Sequence, residues 1–128
     1  FIRKAMDNEV IPIFGDGRIL RDYLYIDDLV SSLVEIALCE EAYGDVYNIG
    51  SGKPLSFVEL AEMIIKIAGK GKVNYTEFTI ERKALEPGDY YADITKITNV
   101  IPWKPVTSLE EGIRATISYY EKNRKHYW

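Results

Sequence analysis

Gly15-Asp16-Gly17-Arg18-Ile19-Leu20-Arg21-Asp22-Tyr23-Leu24-Tyr25-Ile26-Asp27-Asp28-Leu29 is the stretch that decides the fold class. Gly15-Asp16-Gly17 is a turn tripeptide that breaks the short apolar run Val10–Phe14. Leu20–Ile26, rich in Leu, Ile and Tyr, reads as a strand. Asp27 is placed to cap the helix that follows. Leu29, Val30, Leu33, Val34, Ala37 and Leu38 recur at the i, i+3/i+4, i+7/i+8 spacing of an amphipathic helix. A glycine turn, a strand and a helix in direct succession make this an α/β chain.

The same alternation continues outward. Phe1–Asp7 reads as the last turns of a helix. Beyond Gly44, Val46-Tyr47-Asn48-Ile49 reads as a strand before the turn Gly50-Ser51-Gly52. Ser56 and Glu59 form a capping box for a helix carrying Phe57, Leu60, Ala61, Ile64 and Ala68 and stopping at Gly69. Val73–Phe78 is strand-like, Glu81–Tyr90 a polar loop holding Pro87-Gly88, and Asp93–Val100 a short helical turn. Pro102-Trp103-Lys104-Pro105 must be extended, because two prolines in four residues exclude a helix. Ser108 and Glu111 cap the final helix, which buries Leu109, Ile113, Ile117 and Tyr120 and ends in a basic tail suited to the helix dipole. Short strands with about four helices predict a small mixed α/β lobe rather than a full doubly wound sheet.

Composition narrows the function classes. Sixteen Lys+Arg against 20 Asp+Glu leave a net charge of −4 on 128 residues, so nucleic acid is not the expected partner. No apolar run approaches the roughly 18 residues of a membrane helix, and a membrane partner is not expected. With Cys39 and His126 alone of their kinds, a disulfide framework and a Cys/His zinc site are excluded. No G-x-G-x-x-G or G-x-x-x-x-G-K-[ST] loop is present, and the glycine pairs 15/17 and 50/52 read as ordinary turns. Composition and pattern alone show no general acid, base or nucleophile. The chain opens at Phe1 without an initiator Met or a signal segment, which reads as a piece of a longer protein, with the cytoplasm as its expected location.

The order of motifs carries more information. The Gly15–Leu29 stretch is followed by Val46-Tyr47-Asn48-Ile49-Gly50-Ser51-Gly52, then Ser56-x-x-Glu59-Leu60-Ala61, Gly88-Asp89 and Ala92-Asp93-x-x-Lys96. Trp103-Lys104-Pro105 and Leu109-Glu110-Glu111-Gly112-Ile113 complete the series. The series resembles the C-terminal part of the extended short-chain dehydrogenases that act on nucleotide sugars, the family of UDP-glucose 4-epimerase and dTDP-glucose 4,6-dehydratase. The resemblance spans essentially the whole chain. It implies that residues 1–128 are a nucleotide-sugar-binding lobe without its Rossmann domain, where NAD and a Tyr-x-x-x-Lys pair would reside. None of the ten tyrosines here has a Lys four residues on, so this piece alone is expected to be inactive. Family members are often homo-oligomers.

Carried over residue by residue, the resemblance points to Arg21 as a diphosphate ligand, against the alternative of an ion pair with Asp22 or Asp16. Pro12, Ile13 and Phe14 match the strand that borders the base, or are a plain edge strand where proline is tolerated. A second phosphate arginine is expected before Gly88-Asp89. A direct overlay puts Glu86 there, where it would repel a diphosphate. Counting back from Ala92-Asp93 puts Arg82 in that role and Glu86 near a ribose-accepting acid, and this register is preferred. Asn48 either contacts the ligand or ties down the turn after it. Trp103 is expected to anchor packing, and Tyr90 and Tyr91 to flank the loop over the substrate. The implied function is the substrate-binding part of an NAD-dependent nucleotide-sugar epimerase or dehydratase, with UDP-sugar 4-epimerisation favoured. The alternatives are a stand-alone, non-catalytic binding module and a protein-interaction domain.

Overall fold

Residue pattern and observed structure agree best where the signal is local. The computed structural model describes all residues, Phe1–Trp128. Its elements in chain order are α1 (Ile2–Met6), β1 (Val10–Phe14), β2 (Leu20–Arg21), α2 (Ile26–Leu38), β3 (Leu55–Ser56), α3 (Phe57–Ala68), β4 (Lys72–Thr76), α4 (Ile80–Leu85), α5 (Thr95–Val100) and α6 (Leu109–Asn123). Both capping boxes form: Ser56 Oγ accepts from the Glu59 amide, Ser108 Oγ from the Glu111 amide, and each glutamate reaches back to its cap. Gly69 ends α3 in the left-handed region at φ 69°, a conformation glycine adopts without a Cβ clash.

β1 and β4 pair in parallel, with Val10 opposite Lys72 and Phe14 opposite Thr76. Parallel neighbours need a long crossover, and α3 lies across the pair to supply it. Ile11 and Ile13 point inward and join Ala5, Met6, Ala61, Ile64, Ile113 and Ile117 in the main core between α1, β1, α3 and α6. Pleating then turns Pro12 and Phe14 to the other face. Pro12 is tolerated because β1 has a strand on one side only. A smaller core of Ile97, Ile101 and Trp103 holds α5 against α2. The Trp103 indole N–H donates to the Asp28 carbonyl and to Ser31 Oγ, both at 3.0 Å, so its anchoring role is realised.

Several expectations change. The strand expected over Leu20–Ile26 is limited to Leu20–Arg21, paired antiparallel with β3. Asp27 does not cap α2: Tyr25 holds the cap position with no side-chain bond, and Asp27 lies in the first turn, where its charge complements the dipole. Val46–Ile49 forms no strand, because no neighbouring strand lies beside it. Part of the loop expected over Glu81–Tyr90 is helical: Thr79 Oγ1 accepts from the Arg82 amide at 3.3 Å and starts α4.

α2 is oriented against its hydrophobic pattern. Its buried residues are the polar Asp28 and Ser32, at 3% and 0% exposure. Its apolar stripe faces outward, with Ile26, Val30, Leu33, Val34 and Leu38 between 49% and 78% exposed. No helix is long and apolar enough to cross a membrane.

Candidate functional site

The turn after β1 governs the site. Gly15 and Gly17 have φ of 64° and 71°, and a Cβ on Gly17 would lie 2.5 Å from Ile13 and 3.0 Å from Val58. The turn therefore fits only as glycine, and it delivers the chain into β2, where Arg21 and Asp22 diverge in role.

Asp22 is a structural hub. Its carboxylate accepts from the amides of Ser51 (2.8 Å), Gly52 (3.2 Å) and Ala92 (3.3 Å), and from the Ser51 hydroxyl. Two segments remote in sequence are thereby tied to β2. The same bonds occupy the Ser51 and Gly52 amides, so those two N–H groups are not free to cradle a dinucleotide pyrophosphate. The turn-stabilising role expected of Asn48 belongs to Asp22 instead. Asn48 is exposed, its side chain makes no hydrogen bond, and it lies outside the cavity described below.

Asp89 closes the loop from the other side. Its carboxylate accepts from the Leu20 amide at 2.8 Å, and the Tyr90 amide donates to the Leu20 carbonyl at 3.1 Å. This clamp sets Glu86 and Gly88 beside Arg21. Arg21 Nη1 donates to the carbonyls of Leu20 (2.8 Å) and Gly88 (2.5 Å), and Nη2 to the Glu86 carboxylate. The guanidinium also lies 5.1 Å from the Phe57 ring centroid. An ion pair for Arg21 is thus present, but with Glu86 rather than Asp22 or Asp16. Asp16 faces Arg18 at 3.8 Å.

A cavity of about 450 Å³ opens beside this pair, lined by Pro12, Ile13, Phe14, Phe57, Phe78, Arg82, Glu86, Phe1, Arg3 and Lys4. Five of the seven residues singled out from the sequence meet here. Arg21 stands behind the wall made by Glu86 and Phe57, and Asn48 is remote. The guanidinium of Arg82 lies 3.8 Å from the Phe14 ring centroid, a close cation–π stack. Phe14 in turn packs on Phe78 at 5.7 Å between centroids. Arg3 and Lys4 are paired with Asp7 (3.7 Å) and Glu9 (3.0 Å), whereas Arg82 has no carboxylate partner. Arg82 is therefore the cavity's one cationic side chain without a carboxylate partner, next to an aromatic floor.

Phe78, Phe57, Arg3 and Lys4 were not singled out beforehand. Phe78 had one sequence clue, its position at the end of the strand-like run Val73–Phe78. The others arrive through tertiary packing.

A larger cleft of about 600 Å³ lies across Phe57, bounded by Tyr23, Leu60, Leu109, Ile113 and Tyr120 among others. Its walls are mostly apolar and suit packing rather than an anion. The Tyr23 hydroxyl there is buried without a partner, and burial pushes its pKa above the ordinary value of 10.0 against the opposing pull of Arg21. No group of three or more His, Cys, Asp or Glu side chains is placed to hold a metal ion.

Comparison with known proteins identifies the family. Residues 2–116 match the family model described as GDP-mannose 4,6 dehydratase. The chain is 38% identical over 120 residues to the low-salt glycan biosynthesis protein Agl12 of Haloferax volcanii, covering 94% of this chain and 37% of that protein. It is 36% identical over 126 residues to a dTDP-glucose 4,6-dehydratase of Streptomyces griseus, covering 97% and 37%. Among solved structures, an epimerase of Methanothermobacter thermautotrophicus superposes with a TM-score of 0.90 at 26% identity, covering 98% of this chain and 37% of that one. A UDP-glucose 4-epimerase of Thermotoga maritima, solved with UDP-glucose, gives 0.80 at 30% identity, covering 96% and 38%. The chain thus spans little more than a third of the length of these relatives, among which are a dTDP-glucose 4,6-dehydratase and a UDP-glucose 4-epimerase. On the match over residues 2–116, it belongs to the GDP-mannose 4,6 dehydratase family and corresponds to a C-terminal part of an extended short-chain dehydrogenase.

Proposed function

We propose that this chain is the nucleotide-sugar-binding lobe of an NAD-dependent epimerase or dehydratase, and that the cavity between β1 and α4 takes the nucleoside diphosphate. One observation carries the reading. An aromatic floor (Phe14, Phe78) and a cation free of any carboxylate (Arg82) meet at one cavity, with a second guanidinium (Arg21) held just behind its Glu86 wall. A base needs a flat apolar surface, and a diphosphate needs fixed cations at its far end. Pro12, Ile13 and Phe14 border the base, Arg82 and Arg21 serve the diphosphate, and Glu86 accepts from ribose.

The lobe's contribution to chemistry is positional. Contacts with the remote diphosphate hold the sugar so that one carbon faces the reacting groups, which lowers the entropic part of the barrier. We place NAD and the acid–base pair in a portion that the longer relatives carry. The outward apolar stripe of α2 and the unpaired Val46–Ile49 segment, with Val46 81% exposed, are the surfaces that portion would cover. A self-sufficient binding module would have no use for them. We take 4-epimerisation of a UDP-sugar as the leading reaction, dehydration as the second, and the cytoplasm as the place.

Isothermal titration of the chain with UDP, dTDP, CDP and GDP sugars tests this. Binding of a UDP-sugar is expected, weakened about tenfold by Arg82→Ala through loss of one charge-assisted contact. Absence of binding to every nucleotide, or an Arg82→Ala variant that binds as the parent does, would overturn the assignment.

A further inference from the structure

We propose that Glu86 acts as an exchangeable anion on Arg21: it holds the guanidinium seat that a diphosphate takes, and ligand entry swaps one anion for the other. This rests on the reading of the cavity as a nucleoside-diphosphate site and adds a device that sets its affinity and charge preference.

Three features support the exchange. The first is placement. Glu86 lines the cavity and Arg21 does not, so the carboxylate stands between the guanidinium and the space a ligand would enter. The pair is only about one-fifth exposed, at 19% and 21% for the two side chains, so water screens it weakly.

The second is how Arg21 is held. Its bonds to the Leu20 and Gly88 carbonyls, with Phe57 against its face, fix the guanidinium plane without using Glu86. Removing the carboxylate therefore leaves an oriented cation with a free donor edge. A phosphate oxygen accepts at such an edge as a carboxylate does.

The third is the attachment of Glu86. It follows α4, a six-residue helix with no buried residue, whose Ile80 and Leu85 are 86% and 83% exposed. Movement of Glu86 breaks no core packing, while the Asp89–Leu20 clamp just beyond stays in place.

The charge balance decides which ligands succeed. A single phosphate group at Arg21 meets the same competition from Glu86 and gains only one guanidinium. A diphosphate spans two phosphoryl groups and reaches Arg82 as well, so it can displace the carboxylate. The released Glu86 is then free to accept from a ribose hydroxyl. Glu86 thus lowers affinity for every anion at Arg21 and filters against those too short to engage both cations.

Titration of the 128-residue chain with inorganic pyrophosphate, inorganic phosphate and UDP separates the possibilities. Glu86→Gln should bind pyrophosphate about fivefold more tightly than the parent, as expected for removal of one partly buried competing charge. Its relative gain for inorganic phosphate should be larger, eroding the discrimination. In an Arg21→Gln background the Glu86→Gln gain should vanish. Parent-like or weaker pyrophosphate binding by Glu86→Gln, with UDP still bound by the parent, overturns the exchange and leaves the nucleotide site standing. If parent and variant both ignore UDP and pyrophosphate, the site reading and the exchange fall together. Should Glu86→Gln not fold by circular dichroism, Glu86→Asp, whose shorter arm reaches Arg21 less well, must show the same direction of change or the proposal fails.

Discussion

Asp22→Ala is the perturbation whose cost can be worked most directly from the structure. The substitution removes an acceptor from three backbone amides, those of Ser51, Gly52 and Ala92, and from the Ser51 hydroxyl. These bonds cross 29, 30 and 70 residues of sequence, so their loss releases two loops at once. A hydrogen bond to a charged group contributes about 1.5–3 kcal/mol net when buried. The two longer ones here, at 3.2 and 3.3 Å, merit about half of that. Freed amides near the surface recover part through water. The estimate is then about 3 kcal/mol for Asp22→Ala, and about 1.5 kcal/mol for Asp22→Asn, which keeps one carbonyl acceptor. At roughly 3–5 °C per kcal/mol for a chain of this size, Asp22→Ala should melt about 10–15 °C lower. Urea unfolding followed by far-UV circular dichroism gives the free energy, and a thermal scan gives the midpoint. An Asp22→Ala loss below about 0.5 kcal/mol would refute the hub and return Asp22 to an ordinary surface acid.

Gly17→Ala should cost about 3 kcal/mol in the same urea assay, because its φ of 71° disfavours a side chain and the new Cβ would meet Ile13 at 2.5 Å. Trp103→Phe keeps the ring's bulk but loses the indole bonds to the Asp28 carbonyl and Ser31 Oγ, and should cost about 1–2 kcal/mol by thermal unfolding. Acid should weaken the fold through the capping boxes. The serine hydroxyls and backbone amides at Ser56 and Ser108 hold Glu59 and Glu111 below the ordinary 4.5. A depressed carboxylate stabilises the fold above its unfolded value, and that contribution is lost as pH falls from 4.5 through the lower folded value. Ser56→Ala with Ser108→Ala should flatten this slope in unfolding measured against pH.

Local signals were the ones legible in the residues. Ser56-x-x-Glu59 and Ser108-x-x-Glu111 each announce a helix start within four residues, and both form as read. The periodicity of Leu29–Leu38 was equally legible, but not which side faces inward. Asp28 and Ser32 find partners inside the lobe, while Val30, Leu33, Val34 and Leu38 of the apolar stripe stay about half or more exposed. Val46–Ile49 has strand composition, yet a strand exists only through a neighbour, and the sequence does not say whether one is at hand.

The site was half legible for the same reason. Pro12–Phe14 and Arg82 meet because β1 and β4 pair across some sixty residues and α4 folds back over them. The stack of Arg82 on Phe14 is the contact on which we base our preference for Arg82 as the second arginine. Phe78 and Phe57 reach the cavity by packing that no local pattern encodes. The partner of Arg21 was misread because the Gly88-Asp89 clamp, and not sequence proximity, decides which acid is near it.

The most direct test of the central claim is to titrate the isotope-labelled 128-residue chain with UDP-glucose and follow its backbone amides by NMR. The account predicts shifts concentrated at Ile13, Phe14, Phe78, Arg82 and Glu86, around the cavity between β1 and α4. Shifts clustered instead along Leu60, Leu109 and Ile113 of the apolar cleft, or no shifts at saturating ligand, would contradict it.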